Sequence, residues 1–389
     1  MQFKEYFDDY VEEVISLRRH FHMYPELGFK EYKTQEYIIN YLKDLGLSPR
    51  KIARTGVYAV LEGEGNGPTL LLRADMDALA INEQNETEYK SKNPGVMHAC
   101  GHDAHIAMLL VAAKILVKHK KEIRGNVKFV FQPNEEEAGA YLMVEEGILD
   151  NPKVDAAMAL HIWSPIPSGK ISVQEGPVMG AMDIFKLKII GKGGHTALPH
   201  EAINPTFIAS QIINACQYIE TGEIDVLSPT LICFAKINAG SLPNVIPDQA
   251  NLEGTLRYLY SGEDNSLERP KVRFENIILN ICNTYKATYE LEIIPSNFVV
   301  ENAPVLTNLV KSNAVELVGQ ENVVPYKTMA GEDFSEFTRD IPSTFYFLGS
   351  GNKNKGSDYP HHHPKFDIDE EVLIDGVKMH VLNTMKYLR

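Results

Sequence analysis

Strand-like and helix-like patterns alternate through the first 180 residues of the chain, and the alternation then changes character. Thr34–Leu45 repeats apolar residues at intervals of three and four, the spacing of an amphipathic helix. Residues 57–63 (VYAVLEG) and 69–73 (TLLLR) read as strands on either side of the Gly-rich turn Glu64–Pro68. Ala104–Lys118 predicts a helix, Val127–Phe131 a strand, and Ala156–His161 and Lys170–Val173 two short strands. Such an order predicts an α/β fold, a sheet covered by helices. From Ile184 to Ile190 apolar residues alternate with Lys186 and Lys188, so one sheet face should meet solvent. A helix over 201–219, strands over 229–237 and 251–260, a helix over 270–286 and a strand over 288–294 follow. That strand–helix–strand–strand–helix–strand order predicts a small ferredoxin-like α+β unit. After residue 300 the helices Val305–Val318 and Asp369–Leu388 return around a strand at 344–348. The expected organisation is one domain built from 1–180 and 298–389, with 181–297 inserted as a lid and hinges near 180 and 298.

A length of 389 residues suits two domains rather than one core. With 44% hydrophobic residues there is ample material for both. The net charge of −14 argues against a nucleic-acid surface. The acidic, amphipathic N-terminus has no apolar stretch of the signal-peptide kind, and no run approaches the ~18 apolar residues of a membrane span. Cys100, Cys216, Cys233 and Cys282 are far apart, without a CxxC pair, which favours a reducing cytoplasm over a disulfide framework.

Six segments carry chemistry. Met97–His105 (MHACGHDAH) sets His98, Cys100, His102, Asp103 and His105 ahead of an apolar helix, and Gly101 lets Cys100 and His102 turn towards one metal. Its ordinary reading is a helix start with solvated histidines. Phe131–Glu137 (FQPNEEE) ends an apolar strand, where α/β enzymes place their sites. There Glu135 and Glu136 could divide base and ligand roles, or form an acidic turn opening a helix. His161 ends another apolar strand, a position more often structural. Tyr359–Phe366 holds three consecutive histidines between prolines, a metal site or a surface trap for stray ions. Asp75 and Asp77 stand two apart at a strand end, as ligands, as supports or as solvated turn residues. Gly191–His200 is a Gly-rich turn bearing His195 and His200, without the GxxxxGK[ST] pattern of a phosphate loop. No GxSxG elbow offers a serine nucleophile.

Together, and in this order, these segments resemble the amidohydrolase branch of the cocatalytic-metal aminoacylase and carboxypeptidase family. Hippurate hydrolases, indole-acetyl-amino-acid hydrolases and N-acetyl-diaminopimelate deacetylases belong to that branch. The resemblance runs nearly the length of the chain: RRHFHMYPELGF, LLRADMDAL, MHACGHDAH, FQPNEEEAGA, ALHIW, GKGGHTALPH, NVIPDQANLEGTLR, MAGEDF and HHPKFDIDEE. It implies an aminopeptidase-like catalytic domain with a mixed central sheet. It also implies two divalent ions (Zn, Mn, Ni or Co) held by Cys100 as the bridge with His102, Glu136, His161 and His362. His362 is chosen by the family pattern His-x-Pro-x-Phe. Glu135 is implied as the general base, with Asp77 supporting the metals from behind. His195, Asn244 and Arg257 are implied as lid residues that meet the substrate, some of them across a dimer interface.

The implied reaction is hydrolysis of small N-acyl amino acids, with a homodimer or tetramer formed through the lid. A dipeptidase or carboxypeptidase with the same site, and a catalytically silent metal- or peptide-binding protein, are the alternatives. Asn134 and Glu137 depart from the commoner QPAEEG, His361 stands at a usually apolar position, and Leu79-Ala80 replaces Leu-Pro.

Overall fold

The apolar runs form strands and helices close to their expected bounds in the computed structural model, which describes residues 7–262 and 269–389. Residues 1–6 of the amphipathic N-terminus lie outside the described residues. The chain opens with helices α1 (Val11–Met23) and α2 (Tyr32–Asp44), then strands β1 (Arg50–Ile52), β2 (Gly56–Glu62) and β3 (Thr69–Asp75). Helix α3 (His102–Lys118) leads to β4 (Asn126–Gln132), β5 (Ala156–Pro167) and β6 (Ile171–Ser172). The expected strand Ala156–His161 is thus the first half of a longer one. The middle of the chain supplies β7 (Ala181–Ile190), α4 (Pro205–Tyr218), β8 (Thr230–Ala239), β9 (Gln249–Tyr258), α5 (Pro270–Thr284) and β10 (Thr288–Asn297). It closes with α6 (Pro304–Val318), β11 (Val323–Val324), β12 (Ser343–Gly351) and α7 (Leu373–Tyr387).

Helix α4 starts four residues later than expected. Pro205 has no N–H to give an earlier turn, and the Asn204 side chain caps the helix by accepting from Thr206 N at 3.0 Å. Asp369 likewise precedes a 3-10 turn, and α7 begins only at Leu373.

Two compact units result. The first comprises residues 1–178, 300–326 and 333–389; the second comprises 179–299 with 327–332, a short return that no composition shift marks. In the first, an eight-stranded mixed sheet runs β1-β2-β4-β3-β5-β12-β6-β11. β3 is parallel to both β4 and β5, and β5 is parallel to β12, so their carboxyl ends share one edge. Helix α3 is buried on nearly every side because it packs on the sheet and beneath α1 and α7. Lys128, inside β4, is buried because its ammonium finds three carbonyls, of Ile148, Asp150 and Pro152, at 2.7–3.0 Å.

In the second unit the antiparallel order is β8-β9-β7-β10, the ferredoxin-like arrangement. Phe185, Leu187 and Ile189 pack with Ile208 and Ile212 of α4 and Phe274 and Ile278 of α5. The opposite face carries Lys186 and Lys188, paired with Glu292 and Glu290 of β10. Among the described residues, no helix is long and apolar enough to cross a membrane.

Candidate metal centre

Three parallel strand ends build the site. β3 ends at Asp75 with Asp77 just beyond, β4 ends at Gln132 ahead of the Glu135–Glu137 turn, and β5 carries His161. The fourth contribution is the start of α3. Gly101 takes φ 95, and a Cβ there would lie 2.8 Å from Ile162 Cγ2, so only glycine lets the chain turn from Cys100 into His102 this close to β5.

The tautomers of the histidines follow from their partners. His102 Nδ1 donates to the Asp77 carbonyl at 2.9 Å, with Asp77 Oδ1 at 3.2 Å, which leaves Nε2 buried without a hydrogen-bond partner. Asp77 Oδ2 accepts from Glu136 N at 3.1 Å, so one carboxylate orients two neighbours. His161 Nδ1 donates to the Ile162 carbonyl at 2.6 Å and Nε2 faces Cys100 Sγ at 3.7 Å. The three consecutive histidines separate. His361 is stacked on Trp163 (4.4 Å between centroids) and accepts from Ser164 N, and His363 stacks on Tyr359. His362 has a left-handed backbone (φ 65), donates its N–H to Ala99 O at 2.8 Å, and reaches Glu136 Oε1 at 3.2 Å.

Two donor groups emerge, Cys100–Glu136–His362 and His102–Glu135–Glu136, each with its ligand atoms within 4.8 Å of one another. Glu136 belongs to both, and its buried Oε1 makes no well-aligned hydrogen bond, only the 3.2 Å approach of His362 Nε2. Burial opposes a charge on His102, yet Asp75, then Asp77 and Glu136, outweigh it and push the imidazole up to about 10. A pocket that favours positive charge this strongly, lined by thiol, imidazole and carboxylate groups, fits a divalent cation. His161 is held well below its ordinary value by burial and then by His105 and His361, so it stays the neutral ligand form.

A third grouping, Asp75–His102–His105–His161, is equally close and fully buried, but Asp75 and His105 are already committed to other hydrogen bonds. His105 Nε2 accepts from Ile162 N at 2.8 Å and Nδ1 donates to Asp75 Oδ1 at 2.6 Å, while Asp75 Oδ2 takes Arg73 Nη1 at 2.5 Å. Arg73 goes on to Gln132 and Asp333. Behind α3, buried Arg18 pairs with Asp103 at 2.9 Å and Asp367 at 2.8 Å, and His22 with Asp103 at 2.7 Å. Sequence reasoning gave none of these pairings. RRHFH and MHACGHDAH named the residues without saying that one holds the other.

His195, Asn244 and Arg257 lie in the second unit. His195 pairs with Val245 in a two-residue ladder, and His195 and Asn244 line a cleft of about 790 Å³ with Asn238, Asp248 and Asn251. Arg257, in β9, donates from Nη1 to the Met329 carbonyl at 2.9 Å.

A family model described as peptidase family M20/M25/M40 matches residues 71–385, which spans every donor above. The chain belongs to this family. It is 40% identical to thermostable carboxypeptidase 1 of Saccharolobus solfataricus, over 96% of this chain and 95% of that one. It is 39% identical to N-acetyl-L-cysteine deacetylase of Bacillus subtilis, over 93% and 85% of the two chains. Among solved structures, the Bacillus subtilis YXEP protein, described as a dinuclear metal binding peptidase of the M20 family, superposes with a TM-score of 0.84 at 32% identity, covering 98% of this chain and 99% of that one. Within this M20 chain, Glu135 Oε2 lies 3.8 Å from His102 Nε2, inside the donor cluster.

Proposed function

We propose that the chain hydrolyses the amide bond of small N-acyl amino acids, releasing a carboxylic acid and a free amino acid. In this reading Cys100, His102, Glu136, His161 and His362 hold two divalent cations, of Zn, Mn, Co or Ni by donor softness. The observation that carries it is Glu136 shared between two donor groups, with the carboxylate of adjacent Glu135 beside them. Bound cations would supply acidity to a water and polarise the amide carbonyl. Glu135 takes the proton of the attacking water and returns it to the leaving amine. Asp77 keeps His102 and Glu136 in register from behind.

The second unit is proposed to act as the lid and the surface for a homodimer or tetramer. Its strand β8 is an open sheet edge with Leu231 and Ile237 exposed, which supports that role. His195 Nδ1 accepts from Ala197 N at 3.0 Å, which leaves the proton on Nε2 for a developing oxyanion. Arg257 offers the bidentate geometry an α-carboxylate needs, and Asn244 a polar wall beside His195. The four cysteines, all described, form no disulfide, which supports a reducing cytoplasm.

The test is Glu135→Gln. Turnover should fall by roughly 10²–10⁴-fold or more, with metal content unchanged; near-normal turnover would remove Glu135 from the mechanism. A substrate panel on the metal-loaded protein divides the remaining readings. The name of the Saccharolobus relative favours a carboxypeptidase arm, so N-acetyl, N-aroyl and dipeptide substrates are compared directly. Metal binding without any release across the panel would indicate a silent binding protein.

A further inference from the structure

The segment Arg18–Phe29 matches the family pattern yet supplies no donor to the metal centre, and the residues following it explain why the chain runs there. The turn bearing Glu135 and Glu136 is bounded by two non-glycine residues in the left-handed region, Asn134 (φ 55) and Ala138 (φ 59). Each such residue costs on the order of 1–3 kcal/mol and persists only where its surroundings hold it. Three carboxylates catch backbone N–H groups in this turn and just after it. Asp77 takes Glu136 N at 3.1 Å, Asp333 takes Ala140 N at 2.8 Å, and Glu31 takes Asn134 N at 3.0 Å.

Asp77 also meets His102 at the start of α3, and Asp333 also bonds Arg73 of β3 and Gln132 of β4. Glu31 does neither. It is fully buried at the foot of α2, and its other oxygen accepts the Thr55 hydroxyl at 2.5 Å. Three residues earlier, Gly28 backs onto the same turn: a Cβ there would sit 1.8 Å from Asn134 Oδ1. The Gly28–Glu31 stretch therefore meets both the side chain and the N–H of Asn134, the residue immediately before Glu135.

We propose that Glu31 is a positioning residue for the base: by holding the Asn134 N–H it fixes the left-handed entry to the turn, and with it the direction of Glu135. The inference rests on the reading of Glu135 as base.

Two substitutions separate reach from charge, assayed in protein loaded with two equivalents of Mn²⁺ and in the hydrogen exchange of the Asn134 amide. Glu31→Gln keeps an oxygen for Asn134 N–H and can donate to Thr55, so kcat should stay within about 3-fold and the amide stay protected. Glu31→Asp keeps the charge but falls short of Asn134. Its kcat should drop about 10-fold or more, because small displacements of a catalytic group are costly. KM should change less than about 2-fold, metal content should hold, and the Asn134 amide should exchange faster.

A Glu31→Asp enzyme with wild-type kcat, or a Glu31→Gln enzyme as impaired as Glu31→Asp, overturns the proposal. If Glu31→Asp does not fold, Gly28→Ala takes its place, displacing Asn134 with Glu31 intact. The same loss of kcat at constant KM is expected, and an unchanged kcat refutes the idea. Should Glu135→Gln prove active, the base reading fails, while the exchange of the Asn134 amide still reports whether Glu31 holds the turn.

Discussion

Replacing Asp77 by asparagine exchanges one acceptor for a donor between two residues that both present N–H. Asp77 Oδ2 accepts from Glu136 N at 3.1 Å, and Oδ1 stands 3.2 Å from the protonated Nδ1 of His102. An asparagine oxygen can serve one of these; its NH₂ then confronts the other, at a residue only 1% exposed. Hydrogen bonds to charged groups contribute about 1.5–3 kcal/mol, equivalent to roughly 10–150-fold in an equilibrium constant. The Asp77 carbonyl still takes the His102 proton at 2.9 Å, so the ring keeps its tautomer and the lower half of that range is expected. Asp77→Asn should therefore bind Zn²⁺ about 10–30-fold more weakly, measured by titrating apo-protein against a competing chelator. At saturating metal, kcat should recover to within about 10-fold, since Asp77 supports ligands and moves no proton. A dissociation constant within about 2-fold of wild type would refute the reasoning. Abolished kcat at unchanged metal affinity would instead give Asp77 a chemical role.

Cys100→Ser should lower metal occupancy at a given free metal concentration, because a hydroxyl is a far poorer ligand than a thiolate; unchanged content by elemental analysis would remove Cys100 from the ligand set. Ala138→Gly should stabilise the protein by about 0.5–1 kcal/mol in denaturant unfolding, since glycine occupies φ 59 without a Cβ penalty. A loss of stability would mean that the alanine methyl does more than the backbone strain costs. Burial pushes the Glu31 carboxyl from 4.5 up to about 7, with the Thr55 and Asn134 hydrogen bonds opposing. The unfolded chain then releases this proton first, so the Glu31 contribution falls as pH rises from about 4.5 to about 7 and is level above. Relative to wild type, Glu31→Gln should gain up to about 3 kcal/mol above pH 7 and nothing below pH 4.5. A difference independent of pH, read by urea unfolding, would refute that titration.

What could be read from the sequence were the elements and the residues clustered within them. Periodicity locates α2, α3 and the strands because each has one face, or both, in the core, and apolar spacing records burial directly. Cys100, His102, Glu135 and Glu136 were visible because each motif concentrates donors in a few consecutive residues. The buried ion pairs were not, since spacing along the chain says nothing of partners 85 residues apart, as Arg18 and Asp103 are, or 260 apart, as Arg73 and Asp333 are. Asn134 shows a subtler limit. It departs from the family pattern, yet its fitness for φ 55, where asparagine is favoured over most residues, appears only once the turn is seen. Lys128 reads as a charge interrupting a strand; only the geometry supplies the three carbonyls that let it stay inside.

The placement of His161 follows from unequal strand lengths. β3 pairs with β5 only as far as Arg73 opposite Ala159, and β5 continues to Pro167. Beyond that point the Ile162 N–H is taken by His105 from α3. To accept it, His105 must leave Nε2 unprotonated, so its single proton sits on Nδ1 and goes to Asp75, which Arg73 balances. One neutral imidazole thus completes the sheet edge where the ladder stops and fixes the strand at the residue after His161. A protonated His105 could do neither. It would lose the Ile162 N–H. The polar floor of the site therefore makes two hydrogen-bonding demands on one residue, from Ile162 and from Asp75, and both are met by the same tautomer.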